Sequence, residues 1–254
     1  MTVLSHVLNR TLVIRASREI VFGFFTDSAR WAAWWGGGST IDARPGGAMR
    51  IRYPDGTEVA GEVLEVSRPQ RIVFTYGYVK GTPIPPGGSR VTIRLDPHDE
   101  GTSLTLTHEF ADEEIRDQHV QGWRYQLSLF ANVVANEVNA NARDIVDAWF
   151  LAWATKDVAD REAALAKIAQ PSVAVRDRFT AIDGMADLQA HITGAQRFMP
   201  GFTMKRTGDI RHCQGTVLAE WIATGADGQQ RGSGTNVFTV GGDGRLSSVV
   251  GFWN

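Results

Sequence analysis

Cysteine is almost missing from this chain: Cys213 is the only one among 254 residues. No intrachain disulfide is possible, and no cysteine pair exists to hold a metal. Charge of one sign is missing too. Lys and Arg number 26 against 28 Asp and Glu, a net −2 with both signs dispersed. Without a basic block to track phosphates, nucleic acid is excluded as a partner. No apolar run approaches the ~20 residues of a membrane-spanning helix, so no membrane insertion is expected. The opening residues MTVLSHVLNRTLVIRAS lack the basic start and long apolar core of a secretory signal. With the lone cysteine, this sets the expectation of a cytoplasmic protein. There is no GxGxxG, no GxxxxGK followed by Ser or Thr, no HxH and no HExxH. No cofactor and no metal are therefore expected.

What is present is enough chain for two domains of ordinary size, and eight tryptophans. Flat rings pack well against apolar ligands, so a subset of the eight is expected to line pockets. The segment that organises the first half is Gly101 to Phe130. Thr102 to Phe110 alternates as a strand with Leu104, Leu106, His108 and Phe110 on one face. A helix follows in which Ile115, His119, Trp123, Leu127, Phe130 and Val134 recur every three or four residues. Gly122 interrupts that helix at a cost of ~1 kcal/mol relative to alanine, and close approach of helix to sheet is its expected compensation.

Upstream, strands are predicted over 10–15, 48–53, 58–66, 71–78 and 90–95, separated by Pro/Gly turns such as Pro54-Asp55-Gly56. Ser17 is a good N-cap for a helix over 18–26. The aromatic segment DSARWAAWW runs into Gly36-Gly37-Gly38, read as a flexible turn. The layout is α+β, a sheet curved around its last helix. The ordered pieces VFGFFTD, WAAWW, ARPGGAMR, DGTEVAGEVLEVSRPQRIVFTY, GTSLTLTHEF and QGW resemble the activator of heat-shock protein 90 ATPase homologue family. That family belongs to the START-like, or SRPBCC, superfamily. The resemblance implies a helix-grip fold with a deep cavity between sheet and C-terminal helix, and no one chemistry.

The polar stretch ANEVNANA, residues 135–142, contains no strong helix breaker, and a domain boundary is placed within it, giving domains 1–137 and 138–254. Beyond it, helices are predicted over 143–155, over 161–169 with Pro171 as its stop, and over 185–198. Strands are predicted over 172–178, 202–211, 216–224, 232–240 and 245–253, with Ile182-Asp183-Gly184 as a turn. Three helices before a curved antiparallel sheet describe an α+β cone with an internal pocket. The pieces AVRDRFTAIDG and NVFTVGGDGRLSSVVGFW resemble the nuclear-transport-factor-2-like superfamily, its SnoaL-like and ketosteroid-isomerase-like members in particular. Such sheets pair across a two-fold axis, which implies a homodimer through this second domain.

Asp177 is the candidate catalytic residue. In the isomerase-like members an Asp in such a strand moves a proton beside a carbonyl, and burial among apolar groups fits a carboxylate for general-base work. The competing reading pairs Asp177 with Arg176, Arg178 or Arg206. The tyrosine of the isomerases falls near Trp149 or Phe150 here and their second acidic donor near Asn236, so the resemblance implies an incomplete oxyanion site. His191, Trp153, Trp221 and Trp253 join Trp149 and Asn236 as expected lining of this pocket. In the first domain the expected lining is Trp34 and Trp35 at the mouth, Tyr76 and Tyr78 on one strand face, and His108, His119 and Trp123. An ordinary aromatic core competes with this reading at each ring. The function expected is a two-domain binder of a hydrophobic small molecule. The alternatives are a cyclase, isomerase or hydratase using Asp177, and, from the first resemblance, a chaperone-associated interaction protein.

Overall fold

The computed structural model describes residues 3–254. The chain divides into two compact units, one reaching Ala135 and the other running from Asn136 to Asn254. Both mix helices with a large, predominantly antiparallel sheet.

The first unit begins with β1 (His6–Ile14), followed by α1 (Arg18–Gly23) and α2 (Ser28–Trp35). Ser17 caps α1 as expected, its hydroxyl accepting from Ile20 N. The helix is shorter than predicted and gives way to a turn over 24–26. The aromatic segment is itself a helix: Asp27 Oδ1 accepts from Arg30 N at 2.9 Å and starts α2. Trp31, Trp34 and Trp35 then fall on one buried face at spacings of three and four. Gly36, at φ +133°, ends it where a Cβ would stand 2.4 Å from Arg52 O.

The strands β2 (Thr40–Ile41), β3 (Ala48–Arg52), β4 (Glu58–Ser67), β5 (Arg71–Tyr78), β6 (Ser89–His98) and β7 (Gly101–Phe110) complete a seven-stranded sheet. Its order is β1-β7-β6-β5-β4-β3-β2. The alternation read in β7 is present, with Thr102, Leu104, Leu106, His108 and Phe110 all buried. α3 (Glu113–Val138) follows and buries Trp123, Gln126, Leu127, Phe130 and Val134. Phe24, Phe25 and Trp34 meet Phe130 with ring centroids 4.9–5.9 Å apart, so one α3 side chain gathers the aromatic residues of α2 and of the turn before it.

Gly122 corrects the sequence reading. A Cβ there would meet nothing within 4 Å, so no close approach to the sheet requires this glycine; it borders an open pocket.

The second unit carries α4 (Ala142–Ala154), α5 (Val158–Ile168), β8 (Ala169–Asp177), β9 (Thr180–Asp183), α6 (Met185–Phe198), β10 (Thr203–Cys213), β11 (Thr216–Thr224), β12 (Gln230–Val240) and β13 (Leu246–Trp253). Three expectations change. Pro171 does not stop α5: the helix ends at Ile168 and Pro171 sits inside β8. The β8–β13 register breaks between Ala169 and Ala174, and such an irregularity accommodates a residue with no N–H to donate. Thr180 to Asp183 form a strand paired with β8, and only Gly184, at φ +95°, makes the turn. The sheet, ordered β10-β11-β12-β13-β8-β9, is not purely antiparallel, because β13 and β8 run parallel.

One side chain inside this unit is unusual. Arg161 of α5 is fully buried. Its guanidinium donates to Gln189 Oε1 at 2.8 Å, Thr155 O at 3.0 Å, Gln196 Oε1 at 3.1 Å and Thr193 Oγ1 at 2.6 Å. Neutral acceptors from α6 and the end of α4 therefore satisfy a buried charge.

Candidate functional site

Each unit holds a pocket. In the second unit it measures about 600 Å³. α4 supplies Trp149 and Trp153, α6 supplies His191, and β11, β12 and β13 supply Trp221, Asn236 and Trp253. Asp177 closes the set from the end of β8, so all seven residues singled out in this half meet at one pocket.

Period-two alternation explains the convergence. Trp221 and Asn236 lie on the inward faces of adjacent strands, and Trp221 Nε1–H donates to Asn236 Oδ1 at 2.9 Å. That bond fixes the amide's orientation, and among the described residues Asn236 Nδ2 keeps its hydrogens unpartnered. Trp253 stands edge-on to Trp221, ring centroids 4.8 Å apart, and its Nε1–H reaches Asp177 Oδ2 at 3.4 Å. Asp177 Oδ1 accepts from Phe179 N at 2.7 Å. Gly251 separates the two polar groups: a Cβ there would lie 3.1 Å from Asn236 Oδ1 and 3.3 Å from Asp177 Cβ.

The arginines named as competing partners are engaged elsewhere. Arg176 pairs with Asp183 at 2.6 Å and Arg206 with Asp147 at 2.8 Å, while the Arg178 guanidinium lies over the Phe179 ring at 5.0 Å. His191 Nε2 is hydrogen-bonded to Thr180 Oγ1 at 3.3 Å, and its ring meets Trp153 edge-on at 5.8 Å. Sequence reasoning missed the apolar rim. Phe179 and Phe198, 68% and 85% exposed, border this pocket together with Met199. The signal available was a pair of bulky apolar residues, Phe198 and Met199, placed where α6 stops at Pro200-Gly201 and periodicity no longer demands burial.

The first unit's pocket measures about 380 Å³. Trp35, Tyr76, Tyr78, His119 and Trp123 line it; Trp34 and His108 do not. Trp34 is core, its Nε1–H donating to Phe24 O at 3.3 Å. His108 is sealed behind the wall. Trp123 Nε1–H donates to His108 Nδ1 at 2.9 Å, so the imidazole's own proton is on Nε2, where it meets Ser89 Oγ at 2.8 Å. Ser89 passes the chain on to Tyr76 O at 2.8 Å. Every polar atom in this relay is used. Burial, with His119 adding to it, drives the His108 pKa well below 6.5 and keeps the ring neutral.

His119 faces the pocket with the opposite tautomer. Its Nδ1–H donates to Ile115 O at 2.7 Å, so Nε2 accepts from the Tyr78 hydroxyl at 3.2 Å. Burial lowers its pKa as well. Tyr53, which sequence reasoning missed, bonds Tyr76 through their hydroxyls at 3.2 Å. Burial pushes Tyr53 up to about 12 and Tyr76 well above its ordinary value. Four phenols, that of Tyr125 among them, and one imidazole thus present polar tips, suited to a neutral polar group on an otherwise apolar ligand. Among the described residues the buried Trp35 Nε1 has no partner, and no group of three or more His, Cys, Asp or Glu is placed to hold a metal ion. No described helix is long and apolar enough to cross a membrane.

These features define a two-unit α+β protein with an aromatic pocket in each unit. Residues 15–135 match the family model described as activator of Hsp90 ATPase homolog 1-like protein. Among solved structures, a SnoaL-like family protein from Agrobacterium tumefaciens is similar at 22% identity and a TM-score of 0.42, over 44% of this chain and 95% of that one. The Aha1 dimer from Colwellia psychrerythraea is similar at 16% identity and a TM-score of 0.43, over 48% of this chain and 91% of that one. No curated protein matches the sequence.

Proposed function

We propose that this chain binds hydrophobic small molecules, one in each unit. The observation that carries the reading is the second unit's pocket, in which four tryptophans surround about 600 Å³ with only a few polar tips among them. Walls of this kind suit a ligand of drug size, and the exposed rim of Phe179, Phe198 and Met199 gives it an apolar entrance. Tryptophan quenching and native mass spectrometry against an apolar ligand library test it. Saturable binding at low stoichiometry supports it; an unbound protein throughout the library sinks it.

This reading takes the first unit as a START-like helix-grip domain, with α3 as the gripping helix, and the second as a SnoaL-like cone, the domains being 1–137 and 138–254. It also takes the protein as a cytoplasmic homodimer paired through the second sheet; the single exposed thiol of Cys213 suits a reducing compartment. A monomeric mass by sedimentation would remove the dimer and leave the pockets.

One observation favours a second reading, an isomerase, cyclase or hydratase: Asp177 and the amide of Asn236 line the same pocket, one as a candidate base and the other as a candidate donor. If Asp177 is the general base, Asp177→Asn abolishes turnover on any substrate found while leaving the fold intact.

A further inference from the structure

We infer that the second unit's pocket selects organic cations, an apolar ammonium in particular, over neutral molecules of the same shape. The inference rests on the reading of this pocket as a ligand site. Asp177 brings a carboxylate to an enclosure that is otherwise aromatic and aliphatic. Its oxygens accept one backbone N–H and one indole N–H. Both donors are neutral, and among the described residues no cationic group stands within ion-pair distance of it.

The two arginines that line the pocket are already ion-paired. Arg176 is held by Asp183 at 2.6 Å and Arg231 by Asp227 at 2.5 Å. His191 is tied to Thr180. Among the side chains that line the pocket, Asp177 is thus the charged group without an ion-pair partner; Arg178, next in the chain, lies over the Phe179 ring. A carboxylate accepts hydrogen bonds and donates none, so it cannot hold a ligand's carbonyl or carboxylate. A cation suits it, and so do the rings around it, because the faces of Trp and Phe attract positive charge. Trp253 links the two parts: one indole supplies the N–H that positions Asp177 and packs edge-on against both Trp221 and Phe179. Gly251 keeps the floor clear, since a side chain there would crowd both Asp177 and Asn236.

Trimethylphenylammonium and tert-butylbenzene test this as a pair, being alike in shape and different only in charge. Tryptophan quenching titrations on the full chain give the affinity of each. The expected result is tighter binding of the cation, by about tenfold or more. Asp177→Asn is expected to erase that preference, with far-UV circular dichroism reporting that the variant is folded. Gly251→Leu is expected to abolish the preference by occlusion, which locates it in this pocket rather than in the first unit. Equal affinities in the unaltered protein, or a preference that survives Asp177→Asn, overturn the inference and leave the hydrophobic-binder reading standing. Binding of neither probe also overturns the inference, and the hydrophobic-binder reading falls with it only when the apolar library goes unbound too.

Discussion

His108 and His119 differ in character although both come from the same strand-and-helix segment. His108 has both nitrogens committed within the protein, Nδ1 to Trp123 and Nε2 to Ser89, and its job is to hold the pocket wall. Its protonation would break the Trp123 bond. The linkage has a definite sign. The unfolded chain takes up a proton on this histidine near pH 6.5, while the folded chain, with a pKa well below that, does not. Stability is therefore full above pH 6.5 and declines as pH falls from there toward the folded-state value, with a limiting slope of about 1.4 kcal/mol per pH unit for one proton. Urea unfolding at pH 7.5 and 5.5 should show this decline, and His108→Gln should flatten it in part, because His119 is shifted in the same direction. Two glycines give a contrast at the same scale. Gly122→Ala is expected to stabilise by about 0.5–1 kcal/mol, since nothing lies within 4 Å of the new Cβ and helix propensity improves. Gly77→Ala is expected to destabilise by about 2 kcal/mol or more, because its Cβ would stand 1.9 Å from Pro85 O in the loop after β5. Thermal melts of the two variants should move in opposite directions.

The second unit's three helices are joined by Arg161. Its side chain bonds α6 at Gln189, Thr193 and Gln196, and the end of α4 at Thr155. α6 in turn carries His191 and Phe198 to the pocket, so the buried guanidinium sets where one pocket wall stands. Arg161→Met would leave these part-buried acceptors without their donor, at a cost of about 1–3 kcal/mol. Arg161→Lys should recover less than half of that, because an ammonium cannot present donors across the spread of a guanidinium fork. Chemical denaturation measures both; equal stability of Arg161→Met and the unaltered chain would show that the network contributes nothing net. At the level of strands, Pro171 illustrates how an apparent stop is absorbed. The register break opposite β13 takes up a residue that could not serve in a regular ladder.

A chain with a pocket in each unit should bind a neutral apolar fluorophore such as N-phenyl-1-naphthylamine once per pocket. Gly251→Leu is expected to remove the site in the second unit and Gly122→Phe the one in the first, each leaving the other's affinity unchanged, as independent sites do. Isothermal titration reads the stoichiometries. Coupled loss, with either substitution silencing both sites, would show that the units do not bind separately. The two pockets also differ in electrostatic character. The first offers phenols and an imidazole, the second a carboxylate without an ion-pair partner, so one ligand is not expected to prefer both.

The sequence by itself determined most of the elements and their inward faces. Alternation in β7 set Leu104, Leu106, His108 and Phe110 on one side, and three-and-four spacing brought Trp123, Leu127, Phe130 and Val134 together on α3. Both follow from backbone geometry alone. Depth along a buried face was left to the tertiary structure. Trp34 and Trp35 are neighbours on one helix, and His108 and His119 share one polar cluster, yet one member of each pair lines a pocket and the other does not. The difference is made by what stands opposite: Phe24 and Phe130 close over Trp34, and Ser89 and Trp123 close over His108. Tyr53, Arg161 and the open space beside Gly122 were hidden for the same reason. Periodicity reports the direction of a side chain from its own element, whereas a void, a buried charge or a hydrogen-bond relay exists only once residues distant in sequence have packed around it.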